Sequence, residues 1–153
     1  MTLEAIARDA GVGIGTLYRH FPSREALVDA AYRSELARLC DSVDDLLRDK
    51  PPDKALRTWM DSFTGYMSTK RGMSDALRAV IASGGDPFSE SRTRLTTAVS
   101  TLLRAGAAAG LLRSDVAPED ALASLSGVTL ASTAPEQASR LLDLLMDGLR
   151  PRR

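Results

Sequence analysis

The chain holds one cysteine, one histidine and one tryptophan in 153 residues, and each scarcity excludes something. Cys40 has no partner for an intrachain disulfide and cannot by itself supply a structural zinc site, which points to a reducing, cytoplasmic setting. His20 is the sole imidazole. No metal-ligand cluster, nucleophile elbow or paired carboxylate stands out beyond surface runs such as Asp44-Asp45, and a Cys40–His20 pair would require two separate helices to converge. An enzyme is therefore not expected, nor a cofactor or metal. With 20 Lys and Arg against 20 Asp and Glu, the chain has no excess charge of either sign, so any contact with nucleic acid must come from local charge. No apolar run approaches the roughly 18 residues of a membrane span, no signal-peptide pattern opens the chain, and no membrane partner is expected. Aromatic residues make up only 5% of the chain and no alternating β-branched run occurs, so no sheet is expected.

What is present is alanine, leucine and arginine at helical spacing, and the chain reads as all-α. Thr2 can cap a helix through Leu3, Ile6, Ala7 and Ala10 that Gly11 stops, since glycine accepts the left-handed conformation that ends helices. A short helix follows from about Ile14 to His20. Ser23 then caps a long one, with Glu25 in its first turn and an apolar stripe from Leu27 and Ala31 to Leu36, Leu39, Cys40, Val43, Leu46 and Leu47. "RDKPPD" ends it, and Leu56, Trp59, Met60, Phe63, Tyr66 and Met67 form the next stripe up to "TKRG". A short helix from about Ser74 to Ser83 stops at Gly84-Gly85. Asp86-Pro87 is expected to open another helix, running to a stop at Gly110, and Pro118 and Pro135 open the last two.

The stretch "AGVGIGT" carries Gly11, Gly13 and Gly15, and so poses a choice between a phosphate-wrapping loop and a turn between helices. A dinucleotide fingerprint needs a sixth-position glycine directly after a strand, whereas here Thr16 holds that position and the preceding segment is helical by pattern. No Gly-Lys-Ser or Gly-Lys-Thr occurs for a Walker-type loop. Helix, glycine-containing turn, helix is instead the geometry that places a second helix in the major groove of DNA. Thr16, Tyr18, Arg19 and His20 then supply polar contacts with no carboxylate among them, and Arg24 adds a positive charge. Tyr18 and His20 also have plainer uses, as a core aromatic and a structural histidine, and Arg24 as a surface charge.

The segment "TLEAIARDAGVGIGTLYRHFPSREALVDAAY", with its core "GTLYRHFPSREAL", closely resembles the DNA-binding region of the TetR (tetracycline-repressor) family; "PEQASRLLDLLMDGLRPRR" is similar to the closing helix of many bacterial members. The resemblance implies an all-helical homodimer with a helix-turn-helix head at residues 1–32 and an effector-binding and dimerisation body at 33–153. Its partners would be double-stranded operator DNA and a small effector that releases it. Carried across residue by residue, Thr2 lies near a phosphate, Gly15 and Thr16 approach the DNA, Tyr18 and His20 touch phosphates, Ile14 and Arg19 face bases, and Arg24 meets the sugar-phosphate backbone. Gly13 departs from a position often held by a hydroxyl or charged residue, which implies fewer polar contacts. The resemblance also implies a further helix before Thr2, the third wall of a head that is partial here. The expectation is a start codon assigned too late, ahead of truncation or a covering partner. A helical ligand-binding and dimerisation module without DNA binding is the alternative function.

Two recognition helices must stand about 34 to 36 Å apart to read successive major grooves, which requires a dimer. The last two helices are expected to hold it, through Leu122, Leu125, Gly127, Val128, Leu130 and Ala131 on one and Leu141, Leu142, Leu145 and Leu149 on the other. The effector cavity is expected among Trp59, Phe63, Tyr66, Met67, Met73, Leu77, Phe88, Arg92, Leu95 and Val99, residues that could equally fill a core. So little charge there implies an apolar or aromatic effector.

Overall fold

The computed structural model describes the chain apart from residues 1, 2, 12, 14, 16–18, 20–22, 89 and 153, with the backbone alone at Leu3, Glu4, Ile6 and Ala10. Among the described residues there are seven helices and no strand, as the periodicity requires: α1 (Leu3–Ala10), α2 (Arg24–Asp49), α3 (Pro52–Gly72), α4 (Ser74–Ala82), α5 (Ser91–Ala108), α6 (Pro118–Ala131) and α7 (Pro135–Leu149).

Helix ends follow residue chemistry. Ser23, in extended conformation, accepts a hydrogen bond from the Ala26 amide at 3.1 Å and so satisfies one of the free donors at the start of α2. Proline stands in the first turn of α3, α6 and α7, where its missing N–H costs nothing. Gly84 and Gly110 adopt φ of 96° and 73° and close α4 and α5 with the same pair of bonds. Gly84 N donates to Ile81 O and Gly85 N to Val80 O, each at 3.0 Å; Gly110 N donates to Ala107 O at 3.1 Å and Leu111 N to Gly106 O at 2.9 Å.

One expected boundary is corrected. Asp86-Pro87 does not open α5, which begins one turn later at Ser91. Pro87 is fully buried and the Phe88 ring stands edge-on to Tyr32 at 5.4 Å, so this turn of chain docks onto the body rather than starting a helix. Arg33 fixes it further by donating from Nη2 to the Asp86 carbonyl at 2.9 Å, while Arg33 Nε is bonded to both Asp29 oxygens at 3.1 Å.

The core is one continuous cluster built on α3, which packs against α2, α5 and α7, while α2 also meets α4 and α5, and α6 lies between α5 and α7. From α2 it receives Val28, Tyr32, Leu36, Leu39 and Val43, spaced three or four apart on one face. From α3 come Leu56, Trp59, Phe63 and Tyr66, the first two with no exposed surface. Each such side chain contributes about 1.5–3 kcal/mol by leaving water. Buried polar groups are paired: Trp59 Nε1 donates to Leu39 O at 3.0 Å, and the Tyr32 and Tyr66 hydroxyls share a bond of 2.6 Å. Outside the core, Arg57 ties α3 to α7 by bonding Asp143 at 2.9 Å and the Ser139 carbonyl at 3.2 Å.

Candidate DNA-binding face and dimer surface

In the N-terminal region the described residues comprise a helix, a left-handed glycine and two further helical positions ahead of α2. Helix α1 ends at Ala10, and Gly11, at φ 71°, turns the chain while its amide bonds Arg8 O at 3.1 Å. Gly13 is exposed and non-helical, whereas Gly15 and Arg19 are helical and exposed. Ser23 then caps α2. Arg19 Nε lies 3.5 Å from Gly15 O, one turn back on the same face, and leaves the rest of its guanidinium facing outward. Arg24, the first residue of α2, is exposed, as is Arg8 near the end of α1. Of the expected DNA-contacting residues, Gly13, Gly15, Arg19 and Arg24 are therefore at the surface, while Thr2, Ile14, Thr16, Tyr18 and His20 lie outside the described residues.

Comparison with known proteins agrees with this arrangement. Residues 1–31 match the family described as bacterial regulatory proteins, tetR family, and residues 51–151 match the transcriptional regulator SbtR-like C-terminal domain. A TetR transcriptional regulator from Streptomyces coelicolor is 57% identical, superposes with a TM-score of 0.95, and matches 99% of this chain and 89% of its own. The chain belongs to the TetR family. A TetR transcription regulatory protein from Mycobacterium vanbaalenii is 30% identical, with a TM-score of 0.70 over 98% of this chain and 83% of that one. The TetR family regulator PfmR from Thermus thermophilus, at 20% identity, TM-score 0.62 and coverage of 96% and 86%, shares the fold. No curated protein matches the chain.

On this TetR-family body the residues expected at the dimer interface divide into two groups. Leu122, Leu125, Leu142 and Leu149 are buried within the protomer's own core, which reassigns them from interface to interior. Gly127, Leu130 and Ala131 of α6 are exposed, and Val128, Leu141 and Leu145 are half-buried. Leu130 is 67% exposed, and so is Leu144 of α7, which the sequence reading passed over. Gly127 and Leu130 lie three apart on α6, and Leu141, Leu144 and Gly148 follow one face of α7. Two adjacent helices thus carry an uncovered strip of leucine and small residues.

The residues expected to line an effector cavity are packed against one another. Trp59, Phe63, Tyr66, Met73, Leu77, Leu95 and Val99 are all buried, with Trp59 stacked on Phe63 at 5.7 Å and Phe63 tilted against Tyr66 at 6.1 Å. Met67 and Phe88 are half-buried, and Arg92 is exposed rather than turned into the interior. Outside this set, a cleft of about 280 Å³ opens between α2 and α5 over Cys40, Thr93, Arg94 and Thr97. Burial pushes the Cys40 thiol up, which keeps it protonated and a poor nucleophile. Among the described residues no group of three acidic, cysteine or histidine side chains could hold a metal, and no helix is long and apolar enough to cross a membrane.

Proposed function

We propose that this TetR-family chain is a one-component transcriptional repressor that binds operator DNA as a homodimer and is released by a small molecule. Residues 1–32 form its DNA-binding head and 33–153 its effector-binding and dimerisation body; it works in the cytoplasm and catalyses no reaction. The carrying observation is the glycine-stopped α1 followed by helical, outward-facing Gly15 and Arg19, at the place where the family match lies. In this reading Arg19 and Ile14 meet base edges, and Thr2, Thr16, Tyr18, His20 and Arg24 fix register on phosphates and sugars. Gly13 and Gly15 let the backbone approach the duplex closely.

The uncovered strip on α6 and α7 supports the dimer, because paired strips would form a four-helix contact between protomers. Release follows if the effector favours a body conformation whose heads are spaced wrongly for successive grooves. A mobility shift with the duplex upstream of the protein's own gene tests the proposal. Tight binding that weakens with salt, at a log-log slope of about −0.9 per phosphate neutralised, is expected. Binding no tighter than to an unrelated duplex would leave the body as a ligand-binding and dimerisation module without DNA recognition.

A further inference from the structure

The buried aromatic residues pack against one another, so an effector that enters among them must take the place of a side chain. Phe88 is the aromatic member of the cluster best placed to yield. It lies on the non-helical link between α4 and α5, is half-buried, and meets the rest of the body with one ring face and edge. On one side it stands edge-on to Tyr32, whose hydroxyl bonds that of Tyr66. On the other, the Lys70 ammonium sits 4.7 Å from the ring centroid.

Lys70 is the unusual member of this group. Tyr66 and Lys70 are four apart on α3 and share a face, so the ammonium is held at the rim of the aromatic cluster rather than in solvent. Among the described residues it has no carboxylate partner, and it stands over the Phe88 ring. Burial pushes the ammonium down from the usual lysine range, as a cation partly withdrawn from water requires. A ring face offsets part of that cost; an anion would offset more.

We infer that the space held by Phe88 is the effector subsite, and that its occupant is a small aromatic carboxylate whose ring replaces that of Phe88 against Tyr32 while its anion pairs with Lys70. This rests on the effector-controlled reading given above and adds the chemical class of the ligand. It also refines the expectation of an apolar or aromatic effector, since the ammonium over the Phe88 ring is positive. Occupation would expel the segment carrying Phe88, and with it strain the Arg33 bond to the Asp86 carbonyl. Arg33 sits on α2, the helix that leads directly out of the head, so the exchange bears on the element that sets head spacing.

Trp59, the sole tryptophan, stacks on Phe63 next to Tyr66 and reports on the site by fluorescence. Benzoate and its uncharged analogue benzamide are titrated into the unaltered protein, Lys70→Met and Phe88→Ala, with helical circular dichroism recorded for each. Benzoate is expected to bind the unaltered protein about tenfold more tightly than benzamide, a preference lost in Lys70→Met. Phe88→Ala is expected to bind benzoate about tenfold more tightly again, since no ring need be displaced. Should Phe88→Ala lose its helical signal, Phe88→Leu, which keeps apolar volume without a ring, is expected to show the same direction. Equal affinity for the two probes in the unaltered protein and Lys70→Met overturns the inference, as does a Phe88 variant that binds no tighter. If host-cell small molecules still release the operator in that case, effector control stands and only this subsite falls; if none does, both fall.

Discussion

The hydroxyls of Tyr32 and Tyr66 meet at 2.6 Å inside the core, joining α2 to α3. Burial and the Tyr32 hydrogen bond hold the Tyr66 phenol far above its ordinary range. Because neither hydroxyl has water to fall back on, removing one strands the other. Tyr32→Phe and Tyr66→Phe should each cost about 1–3 kcal/mol in urea unfolding, and the double substitution no more than the worse single one. Additive losses would mean that the two hydroxyls do not depend on each other.

A second link between distant parts of the chain is electrostatic. Arg150, just beyond α7, donates to Asp53 in the first turn of α3 at 2.6 Å, and Asp53 is only 8% exposed. The Arg150 hydrogen bond holds the Asp53 carboxyl below the usual carboxylate range. A group whose folded pKa is depressed stabilises above its unfolded value, near 3.9, and loses that contribution as pH falls through the folded value. Asp53→Asn should therefore lower stability at pH 7 by about 1 kcal/mol, with the difference from the unaltered protein shrinking below about pH 4. A gap that persists unchanged to pH 2 would assign the loss to packing instead.

Gly106 makes room for the chain that returns from α5. A Cβ built there would lie 2.2 Å from Leu112 Cδ1 and 3.0 Å from its Cβ, and Leu112 is buried with its amide bonded to Gly106 O at 3.1 Å. Gly106→Ala should destabilise by about 1–3 kcal/mol through overpacking, set against up to about 1 kcal/mol gained in helix propensity. The loss should be smaller when Leu112→Ala is also present. Equal losses in both backgrounds would show that the contact is not what matters.

The uncovered strip on α6 and α7 separates association from folding. Leu144→Arg should give a folded monomer in sedimentation, because the side chain is 67% exposed and takes little part in the protomer's core. Leu142→Arg, two residues away and buried, should instead fail to fold, since an unpaired charge would enter the interior. Leu145 is a poorer probe of the interface because it is half-buried against that core. An unchanged dimer for Leu144→Arg would remove this face from the proposal.

Helix boundaries were legible wherever a single residue dictates backbone geometry. Gly11, Gly84 and Gly110 end helices in the left-handed conformation, and Pro118 and Pro135 begin them, as read from the sequence. Asp86-Pro87 misled because a proline that suits a helix start also suits a buried turn, and the neighbouring Phe88 decided between them through a contact with Tyr32, distant in sequence. The leucines of α7 spread over nearly half of the helix, so period alone could not tell that Leu142, at one edge, faces inward and Leu144, at the other, outward. Lys70 was hidden for a similar reason: a lysine in the last turn of a helix reads as a solvated charge favoured by the dipole, and only tertiary packing sets Phe88 beneath it.

The most direct test of the regulator assignment is a nuclease footprint on the duplex upstream of the protein's own gene, made with the unaltered protein and with Arg19→Ala. The account predicts two protected half-sites about 34 to 36 Å apart, related by approximate two-fold symmetry, and loss of that protection when Arg19 is replaced. Protection that is absent, or that persists unchanged without the Arg19 side chain, would contradict it.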